Sequence, residues 1–179
     1  MSKARVEAHI FTLLFCLAVI CNTVTGQNIT KRVRVVSGGS ISFAFNTIKD
    51  YTIGKTYNNW SRLNIYFIDT TNVGGDGAST GWELLVRANQ SSIDSDNGAL
   101  NLPLSTIEIN PSTVIPGATP TTITLTDVDQ TIITGIDPVA TFVEGEIVIS
   151  FDCGTTTPLL GEEPEFYSVD LVFTIKELP

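Results

Sequence analysis

Three groups of residues in this sequence are of types that could do chemistry, and each implies a different kind. Asp69, Asn72 and Asp76 crowd one polar stretch and Asp94-Ser-Asp-Asn-Gly98 another, both rich in the hard oxygen donors that a calcium ion takes. The second stretch starts like an EF-hand loop, but Ala99 and Ser105 stand where that loop needs its glycine and its bidentate glutamate. Ordinary turns are the expectation here, since Asp, Asn and Gly also build turns, and no cofactor is expected; a calcium ion at Asp69, Asn72 and Asp76 is the alternative. Tyr57-Asn-Asn-Trp60 places two aromatic rings in a polar stretch, the makings of a sugar-stacking platform, against which stands simple rim packing of a β-sandwich. Glu83, Glu108, Glu144 and Glu146 could supply paired carboxylates, but no spacing selects a pair, and an exposed sheet face is normally this polar.

Other chemistries are excluded by what leaves the chain. Lys3 and Arg5 precede the apolar run from Ile10 to Ile20, and Val24 and Gly26 occupy the −3 and −1 positions of a cleavage site before Gln27. This is the pattern of a secretory signal peptide over residues 1–26, and its eleven-residue run, apolar but for Thr12, falls short of the roughly 20 that span a bilayer. The expected protein is secreted or held at the cell surface, with no membrane span in the mature chain. Cleavage removes His9, the only histidine, and with it Ser-His-Asp catalysis, Cys-His catalysis and histidine-ligated zinc or copper. It also removes Cys16 and Cys21, so Cys153 has no partner within its own chain and is either an intermolecular bridge or a small buried residue. Lys3, Arg5 and Glu7 depart as well, so the whole-chain charge of −9 becomes −10, and nucleic acid is not an expected partner.

The elements that must position these residues are strands. In Glu165–Lys176, Tyr167, Val169, Leu171, Phe173 and Ile175 alternate with Ser168, Asp170 and Thr174, the period-2 pattern of a strand with one buried face. Five such side chains at about 2 kcal/mol each need a second sheet opposite. Ile41, Phe43 and Phe45 alternate in the same way, as do Leu63, Ile65 and Phe67, then Trp82, Leu84, Val86 and Ala88, and later Ile147, Ile149 and Phe151. The strand from Arg62 and the strand from Gly81 are expected to form a hairpin, Asp50–Asn59 to be turn-rich, and Pro103 to break or push to an edge the strand from Leu100 to Ile109. Thr121–Thr126 and Gln130–Thr134 are expected to be short threonine-rich strands. The fold class is all-β, an antiparallel two-sheet sandwich of Ig-like or jelly-roll type with seven to nine strands. It is one domain, residues 38–179, preceded by an arm, residues 27–37, in which Ile29, Val33 and Val35 share a face; Gly38-Gly39 could free it to pair with the sheet edge of a neighbouring copy, or it pairs with its own sheet.

The signal peptide, the arm Ile29–Val36 before Gly38-Gly39, the strand Gly81-Trp-Glu-Leu-Leu-Val-Arg and the terminal strand from Phe166-Tyr167 together resemble exported bacterial β-sandwich fibre subunits, the chaperone-usher pilins and spore-coat-U-type proteins. The chain departs from the pilin pattern in lacking an intradomain cysteine pair and in having a basic arm, with Lys31, Arg32 and Arg34. The resemblance implies a non-enzymatic structural or adhesive subunit that self-associates or binds a surface partner. A carbohydrate-binding module, with a glycan held at Tyr57 and Trp60, is the second expectation, and a small hydrolase the third. Intact-mass measurement of exported protein should find a chain that starts at Gln27; a mass that retains Cys21 contradicts the cleavage site.

Overall fold

The computed structural model of the protein describes residues 29–69, 80–96, 101–136, 142–162 and 166–178, so the expected signal peptide lies outside the described residues. Within them the alternating stretches become twelve strands: β1 (Ile29–Ser37), β2 (Ser40–Ala44), β3 (Lys55–Asp69), β4 (Gly81–Ala88), β5 (Ser92–Ser95), β6 (Leu102–Pro103), β7 (Ile107–Thr113), β8 (Ala118–Pro120), β9 (Ile123–Thr124), β10 (Gln130–Ile136), β11 (Val143–Cys153) and β12 (Phe166–Leu178). Eight of these are five residues or longer; the other four are short pieces that extend sheet edges. One sheet has the order β1-β3-β11-β7-β9. The other runs β6-β5-β12-β4-β10-β8, with β2 paired to β12. Every pairing is antiparallel, and the two sheets pack face to face as the expected sandwich.

The core is the apolar layer between the sheets. Leu63, Ile65 and Phe67 of β3 and Ile147, Ile149 and Phe151 of β11 are buried in one cluster with Ile41 and Phe43 of β2, Leu84 and Val86 of β4, and Tyr167, Val169 and Ile175 of β12. Leu171 and Phe173 are only partly buried, although they belong to the same alternating face of β12. The reason lies in the ladder: β2 ends opposite Asp170, and from Leu171 onward β12 is paired only with β4.

Several local expectations change. The strands expected to form a hairpin, β3 and β4, lie in different sheets. β3 has both edges occupied by β1 and β11, and β4 has both occupied by β12 and β10, so each is a central strand with no free side for the other. The stretch Asp50–Asn59 is not a run of turns. Its first part belongs to helix α1 (Ile48–Ile53), started by a capping box in which the Thr47 hydroxyl accepts from Asp50 N–H at 3.2 Å and the Asp50 carboxylate accepts from Thr47 N–H at 3.0 Å. Its second part is the start of β3. Of the two threonine-rich stretches, Gln130–Thr134 lies in β10 as expected, whereas within Thr121–Thr126 only Ile123–Thr124 is a strand; it pairs with β7, while β8 just before it pairs with β10, so the chain changes sheets there. Pro103 does break its strand, which turns through a single 3-10 turn (Leu104–Thr106) between the edge piece β6 and β7.

The arm is β1, and it pairs antiparallel with β3 of its own chain from Ile29 opposite Asp69 to Ser37 opposite Arg62. Gly38-Gly39 does not leave it loose. Gly38 has φ +65°, a conformation that costs other residues strain, its carbonyl accepts from the Ser61 hydroxyl, and a Cβ there would lie 2.5 Å from the Trp60 carbonyl oxygen. The glycines make a tight crossover that carries the chain from the edge of one sheet to β2 in the other.

Close packing is most demanding where β10 crosses Trp82. A Cβ on Gly135 would sit 2.1 Å from Trp82 Cε2, and Trp82 is fully buried. Gly135→Ala should cost about 1–3 kcal/mol of unfolding free energy, read as a lower denaturant midpoint with an unchanged slope. An unshifted midpoint would mean that the indole is free to move.

Candidate functional site

Tyr57 and Trp60 fall inside β3 rather than in a loop, at an irregularity of the ladder. Tyr57 is opposite Phe151 and Ser61 is opposite Ile149, so β3 carries extra residues here, and Asn59 takes the left-handed conformation at φ +52°. The bulge turns the two rings together, with centroids 5.0 Å apart and planes at 47°. Tyr57 continues inward to Phe43 of the other sheet, again at 5.0 Å, and the indole N–H of Trp60 donates to the Ser40 carbonyl at 3.1 Å. The pair thus latches the end of β3 to β2 across the sandwich rim, while Trp60 keeps 42% of its surface exposed.

Of the candidate calcium ligands, Asp69 is the last residue of β3 and is fully buried opposite Ile29, whereas Asn72 and Asp76 lie outside the described residues. Among the described residues no three acidic, histidine or cysteine side chains are grouped as a metal would need. In the second Asp-rich stretch Asp94 sits on β5, where its carboxylate accepts from the Ser92 hydroxyl and the Gln90 amide, both at 3.4 Å.

The carboxylates are spread over both sheets. Glu83 on β4 accepts from the Thr131 hydroxyl at 2.7 Å, Glu108 on β7 accepts from Thr156 at 2.8 Å, and Glu146 on β11 is bound by Arg62 at 2.8 Å. Glu83 and the other three are on different sheets, so the fold does not bring it to them.

Cys153 ends β11 fully buried, the small core residue of the two alternatives rather than a surface thiol poised for a bridge. Burial pushes its pKa up to about 12, against a smaller opposing effect of a hydrogen bond with Thr106. The folded state holds a proton that the unfolded chain releases above its ordinary value of 9.0, so this group lowers stability progressively as pH rises from about 9 to about 12.

The outer face of the five-stranded sheet holds an arrangement that the strand pattern does not announce. Leu63, Ile65 and Phe67 point inward, so Arg62, Asn64 and Tyr66 point out. Across the ladder Arg32 is opposite Tyr66 and Arg34 opposite Asn64 on one side, with Glu144 opposite Tyr66 and Glu146 opposite Asn64 on the other. The Arg32 guanidinium carbon stands 5.6 Å from the centre of the Tyr66 ring, and Phe142, just before β11, stacks on Tyr66 at 5.8 Å with planes 18° apart. Tyr66 as an outward aromatic could be read from alternation. Phe142 precedes the strand and has no periodic neighbour to betray it.

Strand β1 also forms one side of a seam. It lies alongside the second half of β12, to which Lys31 is tied by an ion pair with Glu177 that holds that carboxyl below its usual range. Ile29 and Val33 pack partly against the core, while Val35 is exposed. Among the described residues no helix is long and apolar enough to cross a membrane. The chain matches no protein-family model and no curated protein.

In native protein Cys153 should resist thiol reagents at pH 8 and react fully in denaturant, and the melting temperature of the monomer should not respond to reductant. Rapid labelling of the folded chain would contradict the burial.

Proposed function

We propose that the chain is a non-enzymatic, exported structural or adhesive subunit of a fibre or cell surface. The observation that carries this reading is the seam between β1 and β12. Among the described strands β1 has a ladder partner on one side only, β3, and Leu171–Leu178 of β12 has one only in β4. Two lengths of strand edge therefore run side by side without pairing to each other. Each is a template on which a further extended segment can form a ladder. Neither β1 nor β12 contains a proline, so every residue along both edges keeps its backbone donor. The basic arm, on a chain that is otherwise strongly acidic, adds attraction between unlike surfaces of two copies, a head-to-tail geometry that propagates rather than closes. The resemblance in strand pattern to chaperone-usher pilins and spore-coat-U-type proteins points the same way, and the partner is a second copy or another surface protein.

Light scattering and electron microscopy of mature protein should show concentration-dependent linear growth. A chain that stays monomeric over its whole accessible concentration range overturns the assembly reading. The half-exposed Trp60 favours the second reading, a carbohydrate-binding module, and a glycan array separates the two: glycan binding that is lost in Trp60→Ala, from a protein that does not assemble, would establish it.

A further inference from the structure

The outer face of the five-stranded sheet assigns this protein a second property, which does not depend on assembly: we propose that Arg32, Arg34, Asn64, Tyr66, Phe142 and Glu144 form a binding site for a carboxylated sugar of the hexuronate type. A pocket of about 140 Å³ opens between Arg32, Arg34, Asn64 and Glu144. Both arginines are exposed, and among the described residues neither has a carboxylate within ion-pair distance, whereas the other two described arginines, Arg62 and Arg87, are each paired. Two guanidiniums two residues apart on one face of a strand repel each other, and among the described residues no carboxylate is paired with them. In a chain of this acidity, the placement leaves a local positive spot that a planar carboxylate fits bidentately.

The rest of the site supplies what a sugar needs and a simple anion does not. Glu144 stands two strand spacings from Arg32, about 10 Å, and can accept from sugar hydroxyls at the far side of a ring whose carboxylate lies on the arginines. The Asn64 amide, between them, can both donate and accept. Phe142, 57% exposed, is held parallel to Tyr66, and Arg32 lies over the same tyrosine, so the aromatic surface is fixed in orientation beside the charges. Stacking of an apolar sugar face on such a ring is the usual complement to polar contacts at the rim. A bare polyanion would use the arginines alone and be repelled by Glu144.

Isothermal titration with short oligogalacturonate tests this, with its methyl-esterified form and dextran sulfate as comparisons. Oligogalacturonate should bind; esterification should weaken it about tenfold or more, as should Arg34→Gln. Phe142→Ala should weaken it about five- to tenfold. All the substituted side chains are exposed, and thermal melting verifies that each variant keeps the fold. Equal affinity for the ester and the acid overturns the proposal. So does binding of dextran sulfate as tight as that of oligogalacturonate and indifferent to Phe142→Ala, which would mark the patch as a non-specific anion surface.

Discussion

One apolar layer, buried between two sheets, is the constraint from which the other features follow. Side chains from β2, β3, β4, β11 and β12 fill it, and nearly all its large members are fully buried. Since sheets pack about 10 Å apart, each strand must present a clean inward face, and what is left over points to solvent. The chain reaches this arrangement by changing sheets at almost every connection: β1 to β2, β2 to β3, β3 to β4, and again at each step from β6 to β12. Few neighbours in sequence are neighbours in a sheet. Most ladders are therefore long-range, a topology that is slow to fold but leaves inward and outward faces tightly specified.

The same connectivity decides where backbone groups are left over. Central strands β3, β11, β12 and β4 use both edges for part or all of their length, and one long run of unpaired edge falls at the seam between β1 and the end of β12. The seam is held by Lys31 with Glu177 and by partial burial of Ile29, Val33, Leu171 and Phe173. An exposed ion pair contributes little to stability. The seam is accordingly the place where the sandwich has least to lose by admitting another strand, and the arm that borders it is the most basic part of the chain.

The outward faces carry whatever recognition there is. Trp60 and Tyr57 fix the rim by joining β3 to β2, with the indole N–H already bonded to Ser40. The group around Tyr66 has its charged and aromatic atoms turned to solvent. The contrast is physical: a ring whose polar atom is bonded within the fold serves packing first, whereas two guanidiniums with no carboxylate partner among the described residues retain their capacity to bind an anion.

The sequence by itself determined the fold class, because period-2 alternation in segments such as Ile147–Phe151 and Tyr167–Ile175 commits each strand to one buried face whatever its partners. It also determined that Pro103 would interrupt its strand, since a residue without an N–H cannot continue a central ladder. It did not determine which strands pair. Alternation names a face and not a neighbour, so β3 and β4, adjacent in sequence, looked like a hairpin and lie in opposite sheets. Nor could it show that Asn59 bulges β3 and turns Tyr57 and Trp60 into a latch, or that Gly38 clamps the arm to Ser61. The arrangement of Arg32, Arg34, Tyr66, Phe142 and Glu144 was illegible for the same reason: it draws on three neighbouring strands and the residue just before the third, up to 112 positions apart, and only the register of β1 and β11 against β3 brings them together.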